Sequence, residues 1–148
     1  MNILVFDKSE KTRLAIKRGI TFTLPLSDIT EADNNETVVD LVNREKFDLL
    51  ILDLDNMKGN LLDVVEIAER FNKSLVIIVL TNFSNPKVSE KLLRRGIAHY
   101  YNKVDEFSLF INALHSLALS KIRMQHIPSY NDNHQLAQVA DYTKVKNL

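Results

Sequence analysis

The stretch Phe47-Asp48-Leu49-Leu50-Ile51-Leu52-Asp53 decides the fold class. Four aliphatic residues stand in a row and end on a carboxylate, with no polar residue alternating among them. A strand with one wet face alternates apolar and polar positions; one covered on both faces does not. Val76-Ile77-Ile78-Val79-Leu80 repeats the pattern before Thr81, and Ile3-Leu4-Val5-Phe6 repeats it before Asp7. Two further runs surround Ile29 and Ile97. The predicted strands are therefore 3–6, 27–32, 47–52, 75–80 and 97–101. The second is the most mixed, as suits an edge.

Helical periodicity fills the intervals. Ser9 is placed to cap a first helix with Leu14, Ile16 and Ile20 on its apolar face. Val38, Val39, Leu41 and Val42 mark a second, and Leu61, Val64, Val65, Ala68 and Phe71 a third. Asn85-Pro86 opens a fourth that closes at Gly96. Asp105 is the expected cap of a fifth, with Phe107, Phe110, Ile111, Leu114 and Leu117 on one face. Five strand–helix alternations predict an α/β fold, a doubly wound parallel sheet in a three-layer sandwich. The expected domain is 1–124. Residues 125–148 form a polar tail in which Leu136, Val139 and Ala140 suit a short helix.

Composition agrees with one globular domain and excludes several function classes. The chain has 148 residues, 45% hydrophobic and 26% charged. Gly 3 and Pro 3 total six, where average usage of roughly 12% would give about eighteen. Most of the chain therefore belongs in regular elements. Lys+Arg 19 against Asp+Glu 19 gives zero net charge, which removes any global attraction to phosphate backbones; nucleic acid is not an expected partner. Lys91, Arg94 and Arg95 form one small basic cluster at a helix end, where solvation is the ordinary reading. Cys 0 excludes disulfides, thiolate metal sites and a cysteine nucleophile. The longest apolar run, 75–80, is far too short to span a membrane. No charged region and cleavage site precede the first strand. The expectation is a soluble cytoplasmic protein with no membrane partner.

In an open doubly wound sheet, ligands bind outside the carboxyl ends of the strands. The residues just past those ends are Asp7, Asp53, Thr81 and Lys103. A carboxylate there can hold a hard cation or accept a phosphoryl group as an acyl phosphate. Lysine and threonine can then neutralise and hydrogen-bond the phosphoryl oxygens. Asp53 is the favoured nucleophile because the most apolar strand delivers it. The ordinary alternatives are a helix-capping role for Asp7 and a surface position for Lys103. Asp55 reads as a loop carboxylate whose backbone matters more than its side chain. His99, His115, His126 and His134 show no metal-ligand spacing.

From residue 3 to about 119 the chain resembles the receiver domain of two-component response regulators. The first run with Asp7, the third with Asp53, the fourth with Thr81-Asn82, and Gly96-Ile97-Ala98-His99-Tyr100-Tyr101-Asn102-Lys103 carry the likeness. The resemblance implies a flavodoxin-like sheet of strand order 2-1-3-4-5. It implies phosphorylation of Asp53 by a histidine kinase or phosphotransfer protein. Asp7, Asp53 and the backbone carbonyl of Asp55 would hold Mg²⁺, Thr81 and Lys103 would bind phosphate, and Tyr100 would be the switch aromatic. Output would pass by contact with a downstream protein, with homodimerisation through the fourth helix, fifth strand and fifth helix. The protein would be no enzyme beyond Mg²⁺-dependent self-phosphorylation and self-dephosphorylation. With no second domain evident, a stand-alone receiver is expected.

Three features depart from that family's pattern. Asp7-Lys8 replaces a pair of acids, which removes a metal ligand and offers an ammonium to the remaining carboxylates. Met57 and Leu61 stand where proline and glycine are common. Val104 follows Lys103 where proline, often after a cis bond, is frequent. Lys8 supports an alternative reading, a pseudo-receiver that binds partners without phosphorylation. Asp53-Leu54-Asp55 also resembles the first motif of haloacid-dehalogenase-like phosphatases. Asn56-Met57 follows where that family expects Gly-Thr, and Asp132 has no strand before it.

Overall fold

The computed structural model describes residues 1–55 and 60–125. Ten elements alternate: β1 (Asn2–Phe6), α1 (Glu10–Thr23), β2 (Asp28–Ala32), α2 (Asn35–Arg44), β3 (Leu49–Asp53), α3 (Leu61–Phe71), β4 (Val76–Thr81), α4 (Pro86–Arg94), β5 (His99–Asn102) and α5 (Phe107–Gln125). The strands pair in parallel in the order β2-β1-β3-β4-β5. This is the predicted doubly wound α/β sheet with β2 at an edge. The chain divides into two compact units, Met1–Ala118 and Leu119–Leu148. The sheet and the candidate site belong to the first. The expected tail, with its helix around Leu136, Val139 and Ala140, lies outside the described residues from 126 onward.

Alternation of side chains along each strand divides the apolar runs between two cores. Leu4, Phe6, Leu50, Leu52, Ile77 and Val79 meet residues of α2, α3 and α4, among them Val38, Val65, Ala68 and Leu92. Ile3, Val5, Leu49, Ile51, Ile78 and Leu80 face the other way onto Ile16, Ile20, Phe110 and Leu114 of α1 and α5. Every residue of β3 is buried, which is why its sequence carries no polar alternation. Gly19 permits the close meeting of α1 and α5: a Cβ there would lie 2.7 Å from Ile111 Cδ1.

Polar side chains set the helix starts. Ser9, Asn34, Asn60 and Asn85 each accept a hydrogen bond from a first-turn amide, satisfying donors that have no partner within the helix. Pro86 occupies the first turn of α4 as predicted. That helix ends when Gly96 adopts φ 83°, a left-handed conformation that glycine reaches without a Cβ penalty.

Every strand differs from the sequence expectation by one or two residues at an end, and the start of α5 differs too. β1 begins at Asn2, β2 at Asp28, and β4 runs Val76–Thr81 rather than 75–80. β3 runs Leu49–Asp53 rather than 47–52. Phe47 is buried ahead of the ladder, its carbonyl taking the Asn72 side-chain amide at 2.6 Å. β5 starts at His99 rather than 97, because the Ile97 amide still bonds back to Leu92 O at 3.0 Å. Asp105 does not cap α5. Asn102 Oδ1 takes the amides of Val104 and Asp105 in a tight turn, so the helix starts at Phe107 with Glu106 just before it.

Candidate functional site

Strand register delivers the site residues to one sheet edge. β1 pairs with β3 through Val5↔Ile51 and Phe6↔Leu52, so Asp7 and Asp53 leave neighbouring strands side by side. β3 pairs with β4 at Asp53↔Leu80, one residue before Thr81. The Lys103 amide donates to Thr81 O at 2.7 Å and the Leu54 amide to Leu80 O at 2.8 Å. These bonds hold the chain just where it leaves the ladder. Asp7, Asp53 and Thr81 are buried, at 0%, 1% and 0% exposure.

Lys103 ties the carboxylates together. Its ammonium lies 2.7 Å from Asp53 Oδ1, 3.1 Å from Asp7 Oδ2 and 3.5 Å from Asp55 Oδ2. Asp7 Oδ1 accepts the Ser9 amide at 2.8 Å, so this carboxylate supports the start of α1 as well as the site. Asp53 Oδ1 also accepts the Asp55 amide at 3.1 Å. Among the described residues, three carboxylates surround this one ammonium. Burial raises the Asp7 carboxyl above the usual carboxylate range, and the neighbouring Asp53 charge adds to it. The Ser9 amide and Lys103 pull the other way without cancelling the rise. For Lys103, burial alone would lower the ammonium; the hydrogen bond and charge of Asp53, then Asp7, outweigh it and raise it.

The Asp55 side chain takes a place that its sequence position did not announce. Thr81 Oγ1 donates to Asp55 Oδ1 at 2.5 Å, and the Asn82 amide and side-chain Nδ2 donate to Oδ2 at 2.6 and 2.9 Å. The carboxylate is turned into the site, with a side-chain exposure of 15%. Asn82 is held in turn by Asn102, whose Nδ2 donates to its carbonyl at 3.2 Å. An Asp two residues after a strand-end Asp and an Asn after a strand-end Thr are the only sequence signals for this group.

Tyr100 and Tyr101 face opposite cores. Tyr100 packs on the α2–α4 side, its hydroxyl accepting the Asn85 amide at 3.2 Å where α4 begins. Tyr101 packs toward Phe110. Lys8 is exposed and forms no ion pair with a described residue, so the ammonium among the carboxylates is that of Lys103. The Lys103–Val104 peptide is trans. Of the loop residues that depart from the family pattern, Met57 lies outside the described residues, and Leu61 opens α3.

The family model for the response regulator receiver domain matches residues 3–115. The chain belongs to the receiver domain family. Solved structures share the receiver fold at low sequence identity. The signal receiver domain of a DNA binding response regulator from Colwellia psychrerythraea is 17% identical, with a TM-score of 0.72, over 80% of this chain and 98% of that one. A response regulator from Burkholderia pseudomallei, carrying a phosphorylated aspartic acid, calcium ion and citrate, is 21% identical with a TM-score of 0.67. That match covers 85% of this receiver and 72% of its counterpart. A CpaE2 pilus assembly protein from Sinorhizobium meliloti, described as putative in its source, is 21% identical with a TM-score of 0.65, over 79% and 99%. No curated protein matches the receiver in sequence.

Receiver domains are in general signalling modules of two-component systems, they interact with kinases and effector domains, and they generally bind Mg²⁺ at the phosphorylation site. The donor set here is compatible with such a cation. Mg²⁺ takes oxygen ligands, commonly one or two carboxylates with waters and phosphate oxygens. Asp7 and Asp53 offer two carboxylates side by side that already draw one cationic group, the Lys103 ammonium. Among the described residues no group of three or more His, Cys, Asp or Glu is arranged to hold a metal ion by side chains alone. Among the same residues no helix is long and apolar enough to cross a membrane.

Proposed function

We propose that Asp53 is the phosphoacceptor of this receiver. A carboxylate oxygen of Asp53 attacks the phosphorus of a phosphohistidine on a histidine kinase or phosphotransfer protein. The P–N bond breaks, its electron pair stays on the imidazole nitrogen, and an acyl phosphate forms on Asp53. The observation that carries the reading is the Lys103 ammonium, 2.7 Å from Asp53 Oδ1 at the buried end of β3. It offsets the charge of the carboxylate and stands ready to neutralise phosphoryl oxygens. The phosphorylated aspartate in the Burkholderia pseudomallei structure supports the same chemistry on this fold.

Mg²⁺, held by Asp7, Asp53 and the Asp55 carbonyl, would supply the neutralising charge that two adjacent anions need on approach. Lys8 in place of a second acid weakens that affinity. Thr81 and Lys103 bind the phosphoryl oxygens, and Tyr100, a β5 residue whose hydroxyl accepts the Asn85 amide where α4 begins, reports occupancy to the surface of α4, β5 and α5. Signal output is by protein contact on that surface, with a downstream target or a second copy.

Incubation with acetyl phosphate and Mg²⁺, followed by intact mass measurement, tests this. The protein should gain one phosphoryl group and Asp53→Asn none. No adduct with and without Mg²⁺ would favour a phosphorylation-independent binding module, the reading that the exposed Lys8 supports.

A further inference from the structure

An oxyanion already fills the donor set beside Asp53. The Asp55 carboxylate receives the Thr81 hydroxyl at 2.5 Å, the Asn82 amide at 2.6 Å and the Asn82 side-chain amide at 2.9 Å, with the Lys103 ammonium at 3.5 Å. The Thr81 hydroxyl has one proton. The Phe83 carbonyl, at 3.2 Å and uncharged, is the poorer acceptor for it. The Asp55 amide meanwhile binds Asp53 Oδ1, which fixes the backbone so that the Asp55 side chain reaches across to Thr81. Two strand ends, β3 and β4, are thereby clasped by one carboxylate.

From these contacts we infer that Asp55 is an internal plug: its carboxylate occupies the hydrogen-bond donors that a phosphoryl group on Asp53 needs. The inference rests on the phosphoacceptor reading and adds a threshold to it. Transfer to Asp53 must displace Asp55 from Thr81 and Asn82, so labelling is slower than the exposed donors alone would allow. The single Thr81 hydroxyl proton cannot serve two anions, and the incoming phosphoryl group drives the Asp55 carboxylate out by repulsion. Release of the clasp then uncouples the ends of β3 and β4.

The test compares the full chain with Asp55→Ala and Asp55→Asn, using acetyl phosphate and Mg²⁺, with adduct formation followed by intact mass. Asp55→Ala empties the donor set, and its initial labelling rate should rise roughly tenfold or more. Asp55→Asn removes the same charge but keeps an acceptor oxygen for Thr81 and Asn82, so its rate should fall between the two. Equal rates for wild type and Asp55→Ala would overturn the plug while the phosphoacceptor reading stood. Equal acceleration by Ala and Asn would reduce the effect to charge and overturn it too. If no form takes label, the phosphoacceptor reading fails and the Asn82 amide resonance of the unmodified protein decides the plug separately. A shift on Asp55→Ala supports a filled donor set; an unchanged resonance overturns it.

Discussion

Lys103→Met is the most informative single perturbation of this site. It keeps side-chain length but removes the only ammonium within hydrogen-bond distance of Asp7 and Asp53 among the described residues, at 3.1 and 2.7 Å. Two carboxylates with 0% and 1% exposure are then left facing each other. Removing one partner from a buried ion pair costs about 3–5 kcal/mol. A ceiling follows from proton uptake. Protonating a carboxyl of ordinary pKa near 3.9 at pH 7 costs about 1.36 × 3.1, or roughly 4 kcal/mol, so a larger loss is avoided by binding a proton. Asp7, already raised by burial, is the group that takes it. The folded variant then holds a proton that the unfolded chain lacks, so its stability falls as pH rises, by about 1.4 kcal/mol per unit. The deficit relative to wild type should shrink from about 4 kcal/mol at pH 7 to about 1.5 kcal/mol at pH 5. Urea denaturation at the two pH values measures it. Added Mg²⁺ should stabilise the variant more than wild type, because the cation replaces the missing ammonium. A variant as stable as wild type at pH 7, or a deficit independent of pH, would refute the charge balance drawn from these distances.

Other substitutions probe the same balance from different sides. Asp7→Asn should raise stability at neutral pH, since burial raises this carboxyl and its ionised form is the unfavourable one in the folded state. The gain should fade as pH falls toward the ordinary carboxylate range, which thermal melts at pH 7 and pH 4 would show. Wild type should lose stability above about pH 10.5, because the Lys103 ammonium is raised; its contribution is complete below the unfolded pKa and disappears through the higher folded one. Lys103→Met should lack that alkaline component in the same titration. Lys8→Asp should restore the acidic pair and tighten Mg²⁺ by roughly an order of magnitude, since affinity follows ligand charge; calorimetric titration showing unchanged or weaker binding would contradict this.

The strands were readable because burial on both faces leaves unbroken aliphatic runs, and β3 and β4 are such runs. The placement of Asp7, Asp53, Thr81 and Lys103 was readable for a related reason: in a parallel sheet every strand delivers its last residue to the same edge. The Asp55 side chain was not. Its direction depends on the turn after β3 and on the amide bond to Asp53 Oδ1, neither of which has a residue pattern. Asn102 was missed similarly. It ends β5, shapes the turn around Lys103 through the amides of Val104 and Asp105, and holds Asn82. Polar side chains that fold back on the local backbone carry no periodicity, so hydrophobic patterning cannot locate them. That same turn moved the start of α5 past Asp105.

The most direct test is to locate the phosphoryl group. The protein would be incubated with acetyl phosphate and Mg²⁺, reduced with borohydride to trap any acyl phosphate as the alcohol, digested and mapped by mass spectrometry. The account predicts one reduced aspartate, at Asp53, with Asp7 and Asp55 unmodified. Reduction at Asp55 or Asp7, or a phosphoryl group stable to borohydride on a hydroxyl or imidazole, would contradict it.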